Sequence, residues 1–404
     1  MPDFGEAETA GRRTRAADIV LLVVLGALMA FASISTDTYL PAFPAIAADF
    51  GVDEGRIQLT ISSYLIGFSL GQLVWGPISD RLGRRGPIGA GLVLFMAGSM
   101  GCALAGSAEG LILWRLLQAL GASAGPVLAR AMVRDLYARE RAAEMLSTLM
   151  LIMAVAPLLG PIVGGQILLV GSWRAIFWCL TAVGGLSVVG VLMIDETLPV
   201  ERRGRGRLAG IWKSYRRVLA DRRLIGYAAV GGFYYGGAFA YIAGTPFAYI
   251  DYYKVPAAAY GLLFAVNVIG LMAANFANAR LVARLGSDRI LRVGAMVVAL
   301  SGVALAIDAG IGLGGLWGLT IPLFFYFSAS GLIVANSVAG ALAAFPREAG
   351  AASAVLGAVH YGAGIFSAAL LGWLADGTPW PMGLVIGVGG VLSLASSVVL
   401  GREV

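Results

Sequence analysis

Eight long stretches of this 404-residue chain contain no Asp, Glu, Lys or Arg. Each can cross the hydrocarbon core of a bilayer, which is about 30 Å thick and takes about 20 apolar residues per helix. Lipid offers no hydrogen-bond partners, so backbone amides there must pair within their own segment, and runs of this length predict helices. The stretches are residues 57–79, 86–108, 145–173, 175–194, 224–250, 255–279, 349–375 and 377–401.

Four further crossings bring the predicted total to twelve. Three are apolar segments that contain one or two charged residues, at positions 19–41, 110–133 and 290–308. The fourth is one helix within the longer uncharged stretch at positions 309–346. Only 13% of the residues are charged, about half the share found in soluble domains. A water-soluble fold would therefore lack solvating groups, and we predict an all-α integral membrane protein.

Basic residues favour one side of the predicted bundle. With the amino terminus inside, most Arg residues fall in loops on that side, whereas the opposite side has little beyond Arg56, Arg174 and Lys254. Positive charge marks cytoplasmic loops. We therefore predict a multi-pass protein of the inner membrane with both termini in the cytoplasm. The net charge of +6 reflects this topology and does not indicate a nucleic-acid partner.

The only substantial hydrophilic segment lies in the middle of the chain. It divides the predicted protein into a cytoplasmic tail (1–17), a first six-helix bundle (18–194), a cytoplasmic linker (195–223) and a second six-helix bundle (224–404). The letters DRLGRR, from Asp80, follow helix 2, and ARLGSD, from Ala283, follow helix 8. An offset of about half the chain indicates two duplicated bundles related by an axis along the membrane normal.

The short connection between predicted helices 2 and 3 concentrates charge, with the sequence GPISDRLGRR over residues 76–85. A carboxylate such as Asp80 can offset the positive dipole of a neighbouring helix N-terminus. Arg84 can form a forked pair with a carboxylate on an adjacent helix end, for which Asp135 is the candidate. Such pairs would hold one conformation and break in another. The alternative is ordinary positive charge on a cytoplasmic loop.

This loop resembles the signature loop of the major facilitator superfamily. Other stretches narrow the resemblance, over most of the chain, to the Bcr/CflA subgroup of drug exporters. They are STDTYLPAFP (35–44), RLLQALGAS (115–123), RDLY (134–137), APLLGPIVGG (156–165), DETLP (195–199) and TPFAYI (245–250). The second-half loop departs from the signature, because Ala283 stands where the first half has Asp80.

The resemblance implies the major facilitator fold, in which two pseudo-symmetric six-helix bundles surround a central cavity, and it implies a monomer. It assigns control of the cytoplasmic side to Asp80, Gly83, Arg84 and Asp135. It also identifies an antiporter motif on helix 5, made of Pro157, Gly160, Pro161, Gly164 and Gly165. Small residues four apart let helix backbones approach closely, and the two prolines each remove a helical hydrogen bond and bend the helix.

Asp37 and Arg115 are the strongest candidates for proton coupling, because ionisable groups within membrane helices are costly and usually functional. Asp37 lies 19 positions after Asp18, and Arg115 lies 19 positions before Arg134. Both therefore sit roughly 28 Å from the cytoplasmic ends of their helices, and we expect them to face one cavity. Two alternatives remain: a static ion pair joining helices 1 and 4, or an Asp37 that merely sits at the outer membrane interface.

Polar and aromatic residues within the helices are candidates for the substrate cavity: Tyr64, Gln118, Tyr234, Tyr235, Asn267, Asn336 and His360. Such residues serve equally well in helix packing or interhelical hydrogen bonds. Paired metal-ligand spacing is absent, and so is the nucleotide-binding pattern GxxxxGK[ST]. We therefore expect no metal and no cofactor, and a proton gradient as the energy source.

The sequence favours a secondary active transporter over an enzyme. The leading hypothesis is proton-coupled efflux of small drugs, similar to bicyclomycin or chloramphenicol, by alternating access. A major facilitator that exports a natural metabolite, such as a sugar or an amino acid, is the alternative, since a fold does not define its substrate. An integral-membrane enzyme or receptor would need polar catalytic clusters near a membrane face, and the sequence has none beyond the loop at residues 76–85.

Overall fold

Long helices account for most of the chain in the computed structural model, which describes residues 15–137, 139–203, 216–345 and 348–400. Within these residues the twelve long helices are α1 (Arg15–Asp37), α2 (Glu54–Leu82), α3 (Arg85–Ala103), α4 (Ala108–Leu136), α5 (Arg139–Val170), α6 (Trp173–Leu192), α7 (Arg222–Pro246), α8 (Ala257–Leu285), α9 (Ser287–Ile311), α10 (Gly315–Ala343), α11 (Ala349–Leu374) and α12 (Trp380–Leu400). The predicted all-α membrane fold is confirmed.

Eleven of these helices are long and apolar enough to span a membrane. The remaining one, α7, is 25 residues long and contains many glycines and tyrosines, which lower its hydropathy. The first crossing continues beyond α1 through a 3-10 turn (Leu40–Ala42) and a short helix (Phe43–Phe50). Pro41 and Pro44 lack the amide hydrogens that a continuous α-helix needs. The α1 helix therefore ends at Asp37, within the membrane-spanning region.

The first six helices pack mainly on one another, and so do the last six. The two halves meet along α2 with α11 and along α5 with α8. We call the end of the bundle that holds the α2–α3 loop the Arg84 end, and the end where α2 begins the Glu54 end. Residues 1–14 of the predicted tail and residues 204–215 of the predicted linker lie outside the described residues, so the proposed division of the chain stays a prediction.

The two halves repeat one backbone feature where α2 and α8 end. Gly83 and Gly286 both have positive φ values, 94° and 78°. Each amide donates to the carbonyl oxygen four residues earlier at 3.0 Å, on Ser79 and on Val282 respectively. Only glycine adopts this left-handed region without steric cost. The shared geometry agrees with the duplication that the two loop sequences predicted.

Candidate functional site

Arg115 of α4 is fully buried in the first half. Its Nη1 donates to the Ser35 carbonyl oxygen at 3.0 Å and to Gln118 Oε1 at 2.6 Å. The rings of Tyr39 and Tyr64 lie against it, with centroids 4.4 and 4.3 Å from the guanidinium carbon. Its Nε and Nη2 have no hydrogen-bond partner among the described residues. The cation is thus held by aromatic faces and polar dipoles, not by a carboxylate.

Hydrogen bonds from neighbouring helices fix the groups around Arg115. The Tyr64 hydroxyl is hydrogen-bonded to Ser35 Oγ, which ties α2 to α1. Tyr39 forms the corresponding bond to Thr60 Oγ1, and Gln118 Nε2 donates to Ser99 Oγ of α3 at 2.8 Å. Aromatic rings held in this way are pre-organised, so the cation stays in place without a counter-ion in contact.

Asp37 is the last residue of α1 and is only 6% exposed. Among the described residues its carboxylate has no hydrogen-bond or ion-pair partner, and Arg115 acts on it only at longer range. The static ion pair considered from the sequence is therefore not formed. Tyr241 of α7 and Tyr260 of α8 are also within electrostatic range of Asp37. The carboxylate lies where the first half faces the second.

Helix α5 packs directly on the turn that carries Asp37. A Cβ atom added to Gly160 would lie 2.9 Å from the Asp37 Cβ and 3.2 Å from the Thr38 nitrogen. One added to Gly164 would lie 1.8 Å from the Thr38 carbonyl oxygen. Real Cβ atoms do not come this close to backbone atoms, so only glycine fits at residue 164. The predicted antiporter motif therefore packs directly against the turn that carries the predicted coupling carboxylate.

The same motif also joins the two halves. A Cβ atom on Gly165 would lie 2.7 Å from the Ala257 carbonyl oxygen of α8, and one on Gly261 of α8 would lie 2.8 Å from the Pro161 carbonyl carbon. Pro157 and Pro161 are both inside α5. One segment of α5 therefore contacts the end of α1 through residues 160 and 164 and contacts α8 through residues 161 and 165, so it links the Asp37 turn to the second half.

A hydrogen-bonded polar cluster in the second half lies near Asp37. Asn267 Nδ2 donates to the Tyr241 hydroxyl at 2.8 Å, and the hydroxyls of Tyr260 and Thr245 are 3.0 Å apart. The Asn267 Oδ1 atom is buried and has no partner among the described residues. The sequence identified Asn267 as a candidate but missed Tyr260, which stands in an apolar run without any distinguishing motif.

The remaining cavity candidates lie in several contacts, and ring contacts through Phe68 and Tyr361 connect Tyr64 with Tyr235. Tyr64 and Gln118 belong to the surroundings of Arg115. In the second half, Tyr235 stacks on His360 with ring centroids 4.6 Å apart. Tyr234 instead stacks on Tyr326, at 5.6 Å. The seventh candidate, Asn336, lies elsewhere.

Asn336 belongs to the Arg84 end, where it contacts the second-half loop through neutral groups. It accepts a hydrogen bond from Ser287 Oγ at 2.7 Å and donates to Asn278 Oδ1 at 2.8 Å. Ser287 follows Gly286, the counterpart of Gly83, and so occupies the place that Arg84 has in the first half. Asn336 is thus hydrogen-bonded to a loop that, as expected from Ala283, lacks the charged arrangement of the first half, while its place in a substrate cavity stays a prediction.

Arg84 lies at the centre of a charged cluster in the first half. Its Nε donates to Asp135 Oδ2 at 2.8 Å and its Nη2 to Asp135 Oδ1 at 3.5 Å, which is the forked geometry considered from the sequence. Its Nη1 donates to Asp80 Oδ1 at 2.6 Å and to Ser79 Oγ at 2.7 Å. The Arg84 side chain is 9% exposed. The structure brings these residues together, while their role in gating stays a prediction.

Glu196, which sequence reasoning did not single out, completes this cluster. Its carboxylate accepts from the backbone amides of Arg84 at 2.8 Å, Arg85 at 3.1 Å and Leu198 at 2.9 Å. Partial burial acts to raise the pKa of Glu196, but the amides of these residues and of Thr197 outweigh it and hold that pKa below its usual range. The only sequence signal was its place in the DETLP stretch.

The position of Glu196 corrects the expectation for Asp80. The carboxylate at the N-terminus of α3, where a negative charge is stabilised by the helix dipole, is Glu196; Asp80 pairs with Arg84 and is 62% exposed. A Cβ atom on Gly83 would lie 2.5 Å from Glu196 Oε2. Gly83 is therefore required both by its positive φ and by the close approach of this carboxylate.

Glu196→Gln is expected to lower the melting temperature of the detergent-solubilised protein by a few degrees at pH 7, because a charged acceptor becomes neutral. The pKa of Glu196 in the fold lies below its ordinary value of 4.5. The ionised carboxylate therefore stabilises the fold above that value, and this contribution is lost as the pH falls through the lower, folded pKa. The difference between wild type and variant should shrink in acid. Glu201→Gln is the control, because Glu201 is an exposed carboxylate in the same segment. If the melting temperatures of wild type and Glu196→Gln differ by the same amount at every pH, the ionised Glu196 carboxylate is not what stabilises the fold.

Comparison with known proteins identifies the family. Residues 23–368 match the family described as Major Facilitator Superfamily. The chain belongs to this superfamily. It is 35% identical over 377 residues to the uncharacterized MFS-type transporter YdgK of Bacillus subtilis, covering 93% of each chain. It is 31% identical to the bicyclomycin resistance protein homolog of Haemophilus influenzae, covering 93% of this chain and 94% of the relative.

The solved structures agree on the fold. The partially occluded inward-open structure of the xylose transporter XylE from E. coli superposes with a TM-score of 0.73 over 96% of this chain and 98% of that one, at 15% identity. The family match and the relatives make this major facilitator a multi-pass secondary transporter and not an enzyme. The resemblance to the bicyclomycin and chloramphenicol group of drug exporters is also confirmed.

Proposed function

We propose that this major facilitator exports small drug-like molecules in exchange for protons, with Asp37 as the coupling carboxylate and Arg115 as its partner. The observation that carries the proposal is the position of Asp37: buried, without a hydrogen-bond partner among the described residues, and placed where the two halves meet. The names of its relatives support a drug as the transported molecule.

Proton coupling needs a group whose charge alters the contact between the halves. A charged Asp37 is attracted by Arg115, while a neutral Asp37 is not. The difference in interaction energy between the two forms is large in a medium of low dielectric constant. Because Gly160 and Gly164 pack on Asp37 and Thr38, a change in the position of this turn acts on α5. Through Gly165 the change would reach α8. Protonation would in this way favour one arrangement of the halves over the other.

The charged cluster at the Arg84 end would control access from the opposite side. Arg84 connects the α2–α3 loop with α4 through Asp135, and Glu196 attaches the segment after α6 to the same loop. We propose that this cluster is intact in one state and broken in the other. The distribution of Arg residues supports an inner-membrane protein whose Arg84 end and termini face the cytoplasm, and the family resemblance supports a monomer.

The test uses inside-out membrane vesicles energised by respiration, with a pH-sensitive dye as the readout. Candidate drugs are added one at a time to vesicles containing wild type, Asp37→Asn or Asp251→Asn. Asp251 is a matched control, since it is an exposed carboxylate that pairs locally with Lys254. A drug substrate should dissipate the gradient in wild type and Asp251→Asn, and at least ~10-fold less in Asp37→Asn, as expected for a lost coupling group.

Two outcomes would contradict the proposal in different ways. Equal proton movement in wild type and Asp37→Asn would remove Asp37 from coupling while leaving drug export intact. No response to any compound in a broad panel would remove the drug assignment, and a panel of sugars and amino acids would then identify a metabolite exporter.

A further inference from the structure

One hydrogen bond joins the two halves at the Glu54 end. The Glu54 carboxylate, at the start of α2, accepts from the backbone amide of Gly377 at 3.1 Å. Gly377 lies in the connection between α11 and α12 and has a φ of 77°, a left-handed conformation that turns its amide towards α2. Glu54 belongs to the first half and Gly377 to the second, so this bond exists only while the halves are in contact at this end.

The backbones of the two halves touch beside this bond. A Cβ atom on Gly55 would lie 2.1 Å from the Gly372 carbonyl oxygen, and one on Gly372 would lie 2.8 Å from the Gly55 carbonyl oxygen. Further along the same pair of helices, Ser62 Oγ donates to the Ile365 carbonyl oxygen at 3.2 Å. Helices α2 and α11 are therefore in contact from the Glu54 end as far as Ser62 and Ile365.

The space left between the halves here is small. A cavity of about 20 Å³ is lined by Glu54 and Gln58 from α2 and by Phe247, Leu371 and Gly377 from the second half. A cavity of that size holds one water molecule. Gln58 is 2% exposed, and its Oε1 has no partner among the described residues. Any separation of α2 from α11 would break the Glu54 bond and expose the Gln58 side chain.

Other carboxylates near this end bond within their own half. Asp53 accepts from the amide of Arg56 and caps α2. Asp251 pairs with Lys254, and Asp376 accepts from Thr378. Among the described residues, Glu54 is the carboxylate whose hydrogen bond crosses between the halves. Its neighbours Asp53, Asp251 and Asp376 are also carboxylates, and the nearby cations Arg56 and Lys254 pair with Glu109 and Asp251 instead of Glu54.

We infer that Glu54 is a positioning residue for transport: its bond to the Gly377 amide stabilises the state that is closed at the Glu54 end. Removing the acceptor should shift the population towards the state open at this end. The inference rests on alternation between two states, but not on the nature of the substrate or on Asp37. It can therefore be tested without a drug and without a proton gradient.

The experiment measures how fast a membrane-impermeant maleimide labels the purified protein in detergent. The reporter is the cysteine introduced by Gln58→Cys. The exposed Cys179 is replaced by serine, and the buried Cys102 is kept as an internal monitor of folding. Labelling at each site is read by mass spectrometry of the peptides. Unfolding would label both cysteines, whereas opening at the Glu54 end would label only the reporter.

Adding Glu54→Ala to this background should raise the labelling rate of the reporter by at least ~10-fold, as expected for the loss of one hydrogen bond to a charged acceptor. Glu54→Gln keeps a neutral acceptor for the Gly377 amide and should raise the labelling rate less than Glu54→Ala does. Asp251→Asn neutralises a neighbouring carboxylate, whose ion pair with Lys254 stays within the second half, and should leave the rate unchanged. An unchanged rate in Glu54→Ala, or an equal rise in Asp251→Asn, would overturn the inference.

Discussion

Arg115→Lys is expected to reduce transport by at least ~10-fold although it keeps the positive charge. The guanidinium is planar and lies against the rings of Tyr39 and Tyr64 while donating to Ser35 and Gln118. An ammonium group is a compact point charge that cannot stack on two rings and donate in those directions together. Proton-coupled drug efflux in inside-out vesicles, corrected for the amount of protein, measures the effect.

The control for this change is Arg130→Lys on the same helix. Arg130 donates from Nε to the Pro126 carbonyl oxygen of its own helix at 2.9 Å, and a lysine ammonium can make the same hydrogen bond. The Arg130→Lys variant should therefore retain most of the transport activity. The melting temperatures of both variants separate a loss of function from a loss of folding. If Arg115→Lys transports as well as wild type, the site requires only a positive charge, and the contacts of Arg115 with the aromatic rings have no role in transport.

The helical register predicted the depth of Asp37 and Arg115 but not their contacts. Counting residues from the charged helix ends gives depth, since the rise per residue of a helix is constant. The absence of an ion pair depends on where α1 ends. Because α1 stops at Asp37 before Pro41, the chain then turns, and the carbonyl of Ser35 receives the Arg115 donor instead of the carboxylate. A turn of this kind cannot be derived from spacing.

The charged loop was more predictable than the rest of the site. Arg84 and Asp135 are charges at the ends of neighbouring crossings on one side of the membrane, and few partners are available there. Glu196 was missed because a carboxylate just after a membrane helix looks like an ordinary solvated residue. Its hydrogen bonds to the first amides of α3 depend on the packing of α6 against α3, which no local pattern contains.

The cavity residues were the least predictable part. In a soluble protein, the contrast between apolar and polar faces shows which side of a helix is buried. Here lipid-facing and protein-facing sides are both apolar, so the sequence does not orient the helices. Tyr234 and Tyr235 illustrate this: they are adjacent in α7, yet one stacks on Tyr326 and the other on His360. The hydrogen bond between Asn336 and Ser287 is likewise not indicated by any pattern in the sequence.

Gly164→Ala is expected to lower transport at least ~10-fold and to destabilise the protein by about 1–3 kcal/mol, the usual effect of overpacking. The added Cβ would lie 1.8 Å from the carbonyl oxygen of Thr38. Since that oxygen belongs to the backbone, no change of rotamer relieves the overlap, and α5 must move away from α1. The movement would displace the turn that carries Asp37. Drug efflux and thermal unfolding of the same preparations measure both effects.

Gly89→Ala and Gly160→Ala make this prediction specific. A Cβ atom on Gly89 would meet nothing within 4 Å, so this change within α3 should be neutral or slightly stabilising, as alanine is in helices. Gly160→Ala should be intermediate, because its Cβ would meet the Asp37 Cβ at 2.9 Å. Normal transport by Gly164→Ala would show that α1 and α5 need no close contact in any step. If transport is reduced most by alanine at residue 164, less at 160 and not at 89, the loss results from displacement of the Asp37 turn. A general intolerance of alanine in these helices would reduce transport equally at residue 89.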